Sequence, residues 1–467
     1  MNIHQPSVTA ATSAGTPTAR PLPSPSGSPA AGSPAAGTPA AGTPAAGTPA
    51  ATTLANASDG ARAPAPPFAP RALIGLLAAV TATGPLAMQI FLPALPAVQA
   101  DLDVTSGTVQ LTLSLSMVAI ALSTLVYGPL SDRYGRRPVL LAGLLLFLVG
   151  TAICGLAPDI TTLILGRIVQ AAGGAAGMVL ARAVVRDLYG AEKATGAIAK
   201  LTMVMVVAPM VAPAIGGLLT DLLVWRAVFG FAALVGVLIA FWVAIALPES
   251  HPDRGRAEGL GDLLRGFGLL LASARFCGYV AQTAFASVIF FSFISGAPYL
   301  MVNTLGRPAT EYGLWFVAVS LGFMTGNFIA IRTSGRFSQL GLMFTGCVIG
   351  LLGILAAVAV VLLGALAPWS LFLPVSLAMV GNGLAMPNAQ AGAINVFPHR
   401  AGTASGFSGF AQMSVAAAAT QAVGNLQDGS AWPMLTFMLI GATGALFAIG
   451  VVAIAERRER VHAAGAS

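Results

Sequence analysis

An all-helical membrane protein with twelve spanning segments is the fold class that this sequence predicts, on three observations. Of 467 residues, 56% are hydrophobic and only 8% are charged, whereas a water-soluble domain carries about a quarter charged residues. The mean hydropathy is +0.83. The apolar residues also fall into runs of the length needed to cross a bilayer as a helix, about 20 residues each, and positions 72–455 have room for twelve. So few charges cannot cover a water-facing surface, which excludes a soluble enzyme. The net charge of +7 does not point to nucleic acid, because the basic residues punctuate apolar runs and never cluster with aromatic ones.

Residues 1–70 precede the first run. Pro34-Ala35-Ala36-Gly37-Thr38 repeats as Pro39–Thr43 and Pro44–Thr48, a composition that buries too little apolar surface to offset its chain entropy. A disordered tail is expected, without the basic end, apolar core and cleavage site of a signal peptide.

Six runs follow near 72–94, 107–127, 138–156, 160–183, 195–219 and 225–247, and six more near 275–301, 309–331, 340–364, 369–390, 401–425 and 432–455. The charged stretch 248–274 is the longest link. It divides the chain into a first bundle of six helices (71–247) and a second (275–455), with a short tail at 456–467.

The links alternate in charge. Arg133, Arg136 and Arg137 follow segment 2; Arg182, Arg186, Lys193 and Lys200 surround the link from segment 4 to 5; Arg332 and Arg336 follow segment 8; and Arg457, Arg458 and Arg460 close the chain. The opposite links hold Asp101, Asp103, Asp159, Asp221 and Asp428, with only Arg226 and Arg307. The positive-inside rule then places both termini in the cytoplasm. Trp225, Trp369 and Trp432 open segments 6, 10 and 12 at the outer interface, where an aromatic belt is expected.

The three cysteines, Cys154, Cys277 and Cys347, lie in apolar runs and are odd in number, so free thiols are expected rather than a disulfide framework. The four histidines sit in tails or links, and neither a metal site nor a resident cofactor is predicted.

After segment 2 the chain reads Gly128-Pro129-Leu130-Ser131-Asp132-Arg133-Tyr134-Gly135-Arg136-Arg137. The glycines allow a tight turn, the arginines suit an anionic leaflet, and Asp132 suits a helix N-terminus. In segment 4, Arg167 and Gln170 stand inside an apolar run. A buried arginine of this kind lines a cavity with a partner, or snorkels to the interface. In segment 5, Pro209 and Pro213 with Ala212, Gly216 and Gly217 combine a helix bend with close helix approach.

These motifs resemble the major facilitator superfamily: its G-x-L-S/A-D-R-x-G-R-R loop, the R-x-x-Q/H-G motif at Arg167, and the G-P-x-x-G-G antiporter motif with Ala212 for the first glycine. Leu92–Pro96, the run Arg182–Tyr189 with its Arg186–Asp187 charge pair, and Phe397–Ser405 are similar to the Bcr/CflA-type drug resistance transporters. The resemblance implies a major facilitator fold, all-α, and a secondary transporter rather than an enzyme. It would export small amphipathic drugs or metabolites from a bacterial inner membrane in exchange for protons. It further implies that Asp132, Arg133, Arg136 and Arg137, with Gly128 and Gly135, latch against segment 11 in an outward-open state. Arg167 is implied in proton transfer.

One departure concerns coupling. Relatives carry an acid in segment 1 in a D-x-Y-L-P pattern, where this chain has Gln89-Ile90-Phe91-Leu92-Pro93. Every one of the sixteen acids lies in a tail, in a link or at a segment end. Coupling would therefore run through a peripheral acid (Asp101, Asp187 or Glu311), or the chain is an uncoupled carrier of a natural metabolite. A non-transporting sensor would need a folded output domain. Embedded amides and aromatics, first Gln89 and Asn388, then Phe91, Asn382 and Gln412, are the substrate candidates, each weighed against helix–helix hydrogen bonding or lipid contact. Together they suit a neutral or cationic amphiphile. The partners expected are this substrate and the bilayer, with no nucleic acid and a monomeric state.

Overall fold

The computed structural model describes residues 70–250 and 267–465. The repetitive tail and most of the 248–274 link lie outside the described residues, as do the side chains of Lys193, Lys200 and Arg460. Among the described residues the chain is helical between short links, with one isolated bridge between Ser334 and Phe337.

Helix α1 spans Pro70–Ile90 and passes through a short turn at Leu92–Ala94 into α2, Leu95–Asp101. Then come α3 (Ser106–Tyr134), α4 (Arg136–Gly155), α5 (Ile160–Leu222) and α6 (Ala227–Ala246). After the central link lie α7 (Ala274–Tyr299), α8 (Ala309–Thr333), α9 (Gln339–Leu362), α10 (Pro368–Val396), α11 (Ala401–Asn425) and α12 (Trp432–Gly465). Several starts carry the oxygen that a helix N-terminus lacks: Thr105 accepts from the N–H of Thr108, Asp159 from that of Thr162, and Ser338 from that of Gly341. Gly135, with φ of +98°, turns the chain from α3 directly into α4, a conformation that favours glycine.

The predicted segments 4 and 5 form one unbroken helical run of 63 residues. A straight helix of that length would measure about 95 Å, yet Arg226, just past its end, donates to the carbonyl of Ala157, just before its start. The run therefore folds back on itself. Residues 184–195 contain no proline and a single glycine, so the sequence between the two predicted segments carries no strong helix breaker to mark the reversal.

Among the described residues, ten helical stretches are long and apolar enough to cross a membrane. The predicted segments 5 and 11 are not among them: Val207–Leu222 is shorter, and α11 is rich in Gly, Ser, Thr and Gln. Helix α11 faces the interior features described below, which explains its polar composition.

The links gather as their charges predict. Asp101 pairs with Arg226 at 2.8 Å, Asp221 reaches Thr310, Thr304 donates to the carbonyl of Gly429, and Ser106 to that of Gly424. Links 1–2, 3–4, 5–6, 7–8 and 11–12 thus share one end, here the acidic end. Trp225 departs from the expected belt. It is buried and donates to Asp101 at 2.9 Å, because the Asp101–Arg226 pair draws its indole inward, while Trp369 and Trp432 are exposed. All three cysteines are free thiols.

The buried core has a shape that matters for function. Toward the acidic end one large cluster joins both halves of the chain, with Leu113, Ala212 and Phe229 alongside Phe293, Tyr312 and Ala417. Toward the opposite, basic end the core separates. One cluster holds Leu76, Leu140 and Val184 from the first half, and another holds Phe276, Met343 and Val452 from the second.

Candidate functional site

The hydrogen bonds between the two halves seal the acidic end along two seams. Between α3 and α11, Ser114 donates to Gln421 at 2.8 Å, Gln421 donates to the carbonyl of Gly107, and Ser106 to that of Gly424. Gln110, also on α3, donates to the carbonyl of Ser295 on α7. Between α5 and α8, the Asp221 carboxylate accepts from the N–H groups of Ala309 and Thr310 and from the Thr310 hydroxyl. Gly217 lies against the backbone of Ala309 and Thr310 so closely that a β-carbon would collide with it. Of the proline-and-glycine motif, Gly217 thus forms this seam, Ala212 is buried in the shared core, and Gly216 abuts the carbonyl of Ile90 on α1. Pro213 abuts Gly313 of α8.

Inward from this seal is a cavity of about 240 Å³ lined by α1, α5, α7, α8, α10 and α11. Its wall is made of Phe290, Phe291, Phe316, Phe323, Val319, Pro209, Met205, Met379, Met386 and Met413, with Gln89, Ser287, Ser320, Asn382 and Gln412 as polar points. No titratable side chain is among the described residues of the lining. Asn382 is tied to the carbonyl of Ala286. The Oε1 of Gln89 is buried without a partner.

The substrate candidates divide accordingly. Gln89, Asn382 and Gln412 line the cavity, but Phe91 and Asn388 do not. Phe91 is fully buried between Phe229 and Arg167. Asn388 donates back to the carbonyl of Leu384 in its own helix, the local bond open to an asparagine one turn on. Sequence reasoning passed over Met205, Met379 and Met413, whose spacing differs in no way from ordinary core methionine.

Arg167 neither snorkels nor reaches this cavity. It is 2% exposed, donates to Gln170 at 2.6 Å and to the carbonyl of Ala87 at 3.2 Å, and stacks 4.7 Å from the Phe91 ring centre. Gln170 in turn donates to Thr151 on α4. Among the described residues no carboxylate pairs with Arg167. The group ties α5 to α1 and α4 inside the first half.

At the basic end the loop motif is a compact charge cluster. Arg136, 6% exposed, pairs with Asp132 at 2.6 Å and with Asp187 at 3.0 Å. The N–H groups of Arg136 and Arg137 donate to Glu249, and Ser250 donates to Asp187. Gly135 lies against Glu249, the Arg133 guanidinium lies over Tyr134, and the carbonyl of Gly128 accepts from Ser131. One expectation changes. Asp187 pairs with Arg136 and not with Arg186, which is exposed, because adjacent helical residues point apart. Among the described residues Asp132 meets Arg136 and no residue of α11, so the latch toward segment 11, expected of an outward-open state, is not engaged here. Glu249 was missed. Its only sequence signal is an acid directly after the last residues of segment 6.

The Major Facilitator Superfamily model matches residues 77–420. Multidrug resistance protein D of Escherichia coli (strain K12) is 32% identical over 335 residues, 71% of this chain and 83% of that protein. The bicyclomycin resistance protein homolog of Haemophilus influenzae is 28% identical over 370 residues, 79% and 92% of the two chains. Among solved structures, a D-xylose-proton symporter shares the fold with a TM-score of 0.65 at 15% identity, covering 80% of this chain and 97% of that one. A sealed end, a cavity at mid-depth and this match over most of the helical region agree: the chain belongs to the Major Facilitator Superfamily, alongside its Bcr/CflA-type drug resistance members, and is a multi-pass membrane transporter and not an enzyme.

Proposed function

We propose that this protein exports small drugs or metabolites across a bacterial inner membrane by alternating access between two six-helix bundles, residues 71–247 and 275–455, with both termini cytoplasmic. The observation that carries this is the asymmetry of the core. Both halves share one cluster at the acidic end, while their clusters are separate at the basic end. That is the form expected of a carrier facing the cytoplasm, its cavity shut toward the outside and ready to load. The unengaged Asp132 fits the same state, since its latch belongs to the opposite one. Relatives named for multidrug and bicyclomycin resistance support drug export. A monomer suffices, because one chain encloses the cavity.

For coupling, proton antiport is the leading reading, with the proton carried outside the substrate cavity. The peripheral acids are engaged: Asp101 with Arg226, Asp187 with Arg136, and Glu311 with Arg307 at 3.9 Å. A second reading, a carrier without proton exchange, is favoured by Gln89 standing uncharged in the lining. Uptake of labelled chloramphenicol into proteoliposomes, with and without an imposed pH gradient, separates them. Accumulation that follows the gradient supports antiport. Gradient-independent transport establishes the uncoupled carrier, and no saturable transport overturns the export reading. In Gln89→Asp, a rise in gradient dependence would place the lost coupling group on α1.

A further inference from the structure

The lining of the cavity carries more information than its shape. It joins aromatic faces (Phe290, Phe291, Phe316) and pliable thioethers such as Met379 to free amides at Gln89 and Gln412. The chemistry absent from the described lining is a carboxylate. A cation entering such a site loses its hydration shell and gains ring quadrupoles and neutral amide oxygens in return, with no countercharge, so they offset only part of that cost. The fixed charges beside the lining oppose it further: the Arg182 guanidinium donates to the Sδ of the lining Met205 at 3.5 Å. Arg167 is buried with no carboxylate partner among the described residues and bonds to the carbonyl of Ala87, two residues from Gln89. An anion finds no cationic donor among the described lining residues either, since Arg167 is enclosed by Phe91, Gln170 and Ala87 and Arg182 is turned onto the Met205 sulfur.

The amides specify the ligand further. Gln89 is 7% exposed and its Oε1 has no partner among the described residues, and a buried acceptor left unpaired is costly. A hydroxyl or amide N–H of a ligand would complete it. Among the described residues the Gln412 amide has no hydrogen-bond partner, though its main-chain carbonyl accepts from Ser287. Four methionines in the wall allow the apolar body of the ligand to vary in outline.

We propose that this transporter selects by charge: its substrates are uncharged aromatic or apolar molecules carrying a hydroxyl or amide N–H donor for Gln89, and permanently charged drugs are excluded. The proposal rests on the transport reading above and sharpens it to a substrate class. It narrows the neutral-or-cationic amphiphile expected from sequence to the neutral one.

The test is equilibrium binding and proteoliposome transport by the full-length protein, with three probes. Chloramphenicol is uncharged and bears hydroxyls and an amide, tetraphenylphosphonium is a permanent cation, and taurocholate is a permanent anion. Chloramphenicol is expected to bind saturably, with both ions at least tenfold weaker. Gln89→Leu should weaken chloramphenicol about tenfold, and Gln412→Glu should strengthen tetraphenylphosphonium at least tenfold. Wild-type protein that binds either ion as tightly as chloramphenicol, or chloramphenicol no better than the ions, overturns the proposal without any variant having to fold. Selective binding without transport leaves the site as described but defeats the export reading. Transport of all three at similar rates keeps export and defeats the charge filter.

Discussion

Thr310, at the start of α8, donates its main-chain N–H (2.7 Å) and its hydroxyl (2.6 Å) to the carboxylate of Asp221, at the end of α5. Asp221 belongs to the first half of the chain and Thr310 to the second. A carboxylate from one half thus caps the N-terminus of a helix from the other, where free N–H groups and the helix dipole favour negative charge. In the alternating access proposed above, this bond has to break for the acidic end to open. Asp221→Ala should therefore shift the balance toward the state open at that end. With hydrogen bonds to a charged group worth about 1.5 kcal/mol or more, the shift is roughly tenfold. Spin labels at positions 222 and 307, measured by double electron–electron resonance, should show a longer distance gaining population; an unchanged distribution would remove Asp221 from gating.

Gly217 supports the same seam by contact alone. Its substitution by valine would press a branched side chain into the backbone of Ala309 and Thr310. Gly217→Val should wedge α5 from α8, reduce transport severely and give the same lengthened spin-label distance as Asp221→Ala. Normal transport by Gly217→Val would show that the seam opens without penalty.

Arg167→Lys tests the polar tie inside the first half. A lysine keeps the charge but loses the planar fork that serves both Gln170 and the Ala87 carbonyl and the flat face that lies on Phe91. Stability in detergent should fall by about 1–3 kcal/mol, read as a lower melting temperature. A melting temperature equal to wild type would mean that the charge alone matters.

Glu249 fixes the end of α6 to the start of α4 through the N–H groups of Arg136 and Arg137. Glu249→Ala removes a helix cap, a loss of about 0.5–2 kcal/mol. It should also raise the proteolytic sensitivity of the central link, measured by limited trypsin digestion of the reconstituted protein. Digestion at the wild-type rate would count against this tether.

Asp159 supplies a pH prediction outside the membrane-spanning stretches. The N–H of Thr162, then its hydroxyl, hold the Asp159 carboxyl below the usual carboxylate range. A group lowered on folding stabilises the protein fully above its unfolded value, about 3.9. That contribution is lost as pH falls through the folded value. Between pH 6 and pH 3 the wild-type melting temperature should fall more than that of Asp159→Asn. Equal falls would show that this cap does not titrate with folding.

Much of the architecture was legible because a bilayer imposes it residue by residue. Apolar runs of spanning length set the helices, and the alternation of Arg133–Arg137 with Asp101, Asp159 and Asp221 sorted the links into two ends. The loop motif announced a charge cluster, yet its partners were not readable. Asp187 has Arg186 beside it in sequence but meets Arg136, 51 positions away, and Glu249 arrives from more than 110 positions away. Trp225 looked like a belt residue until Asp101 and Arg226 drew it inward.

The sequence by itself determined the helices, their alternation across the membrane, the superfamily and the absence of an acid at position 89, since each depends on composition or on neighbours along the chain. The tertiary structure alone decided which polar residues face the cavity, that Arg167 is locked away from it, and that Asp221 closes the acidic end. Those outcomes depend on the rotation and register of helices packed side by side. A helix in an apolar solvent can turn about its axis with little change in its own energy, so only the neighbours fix which face looks inward.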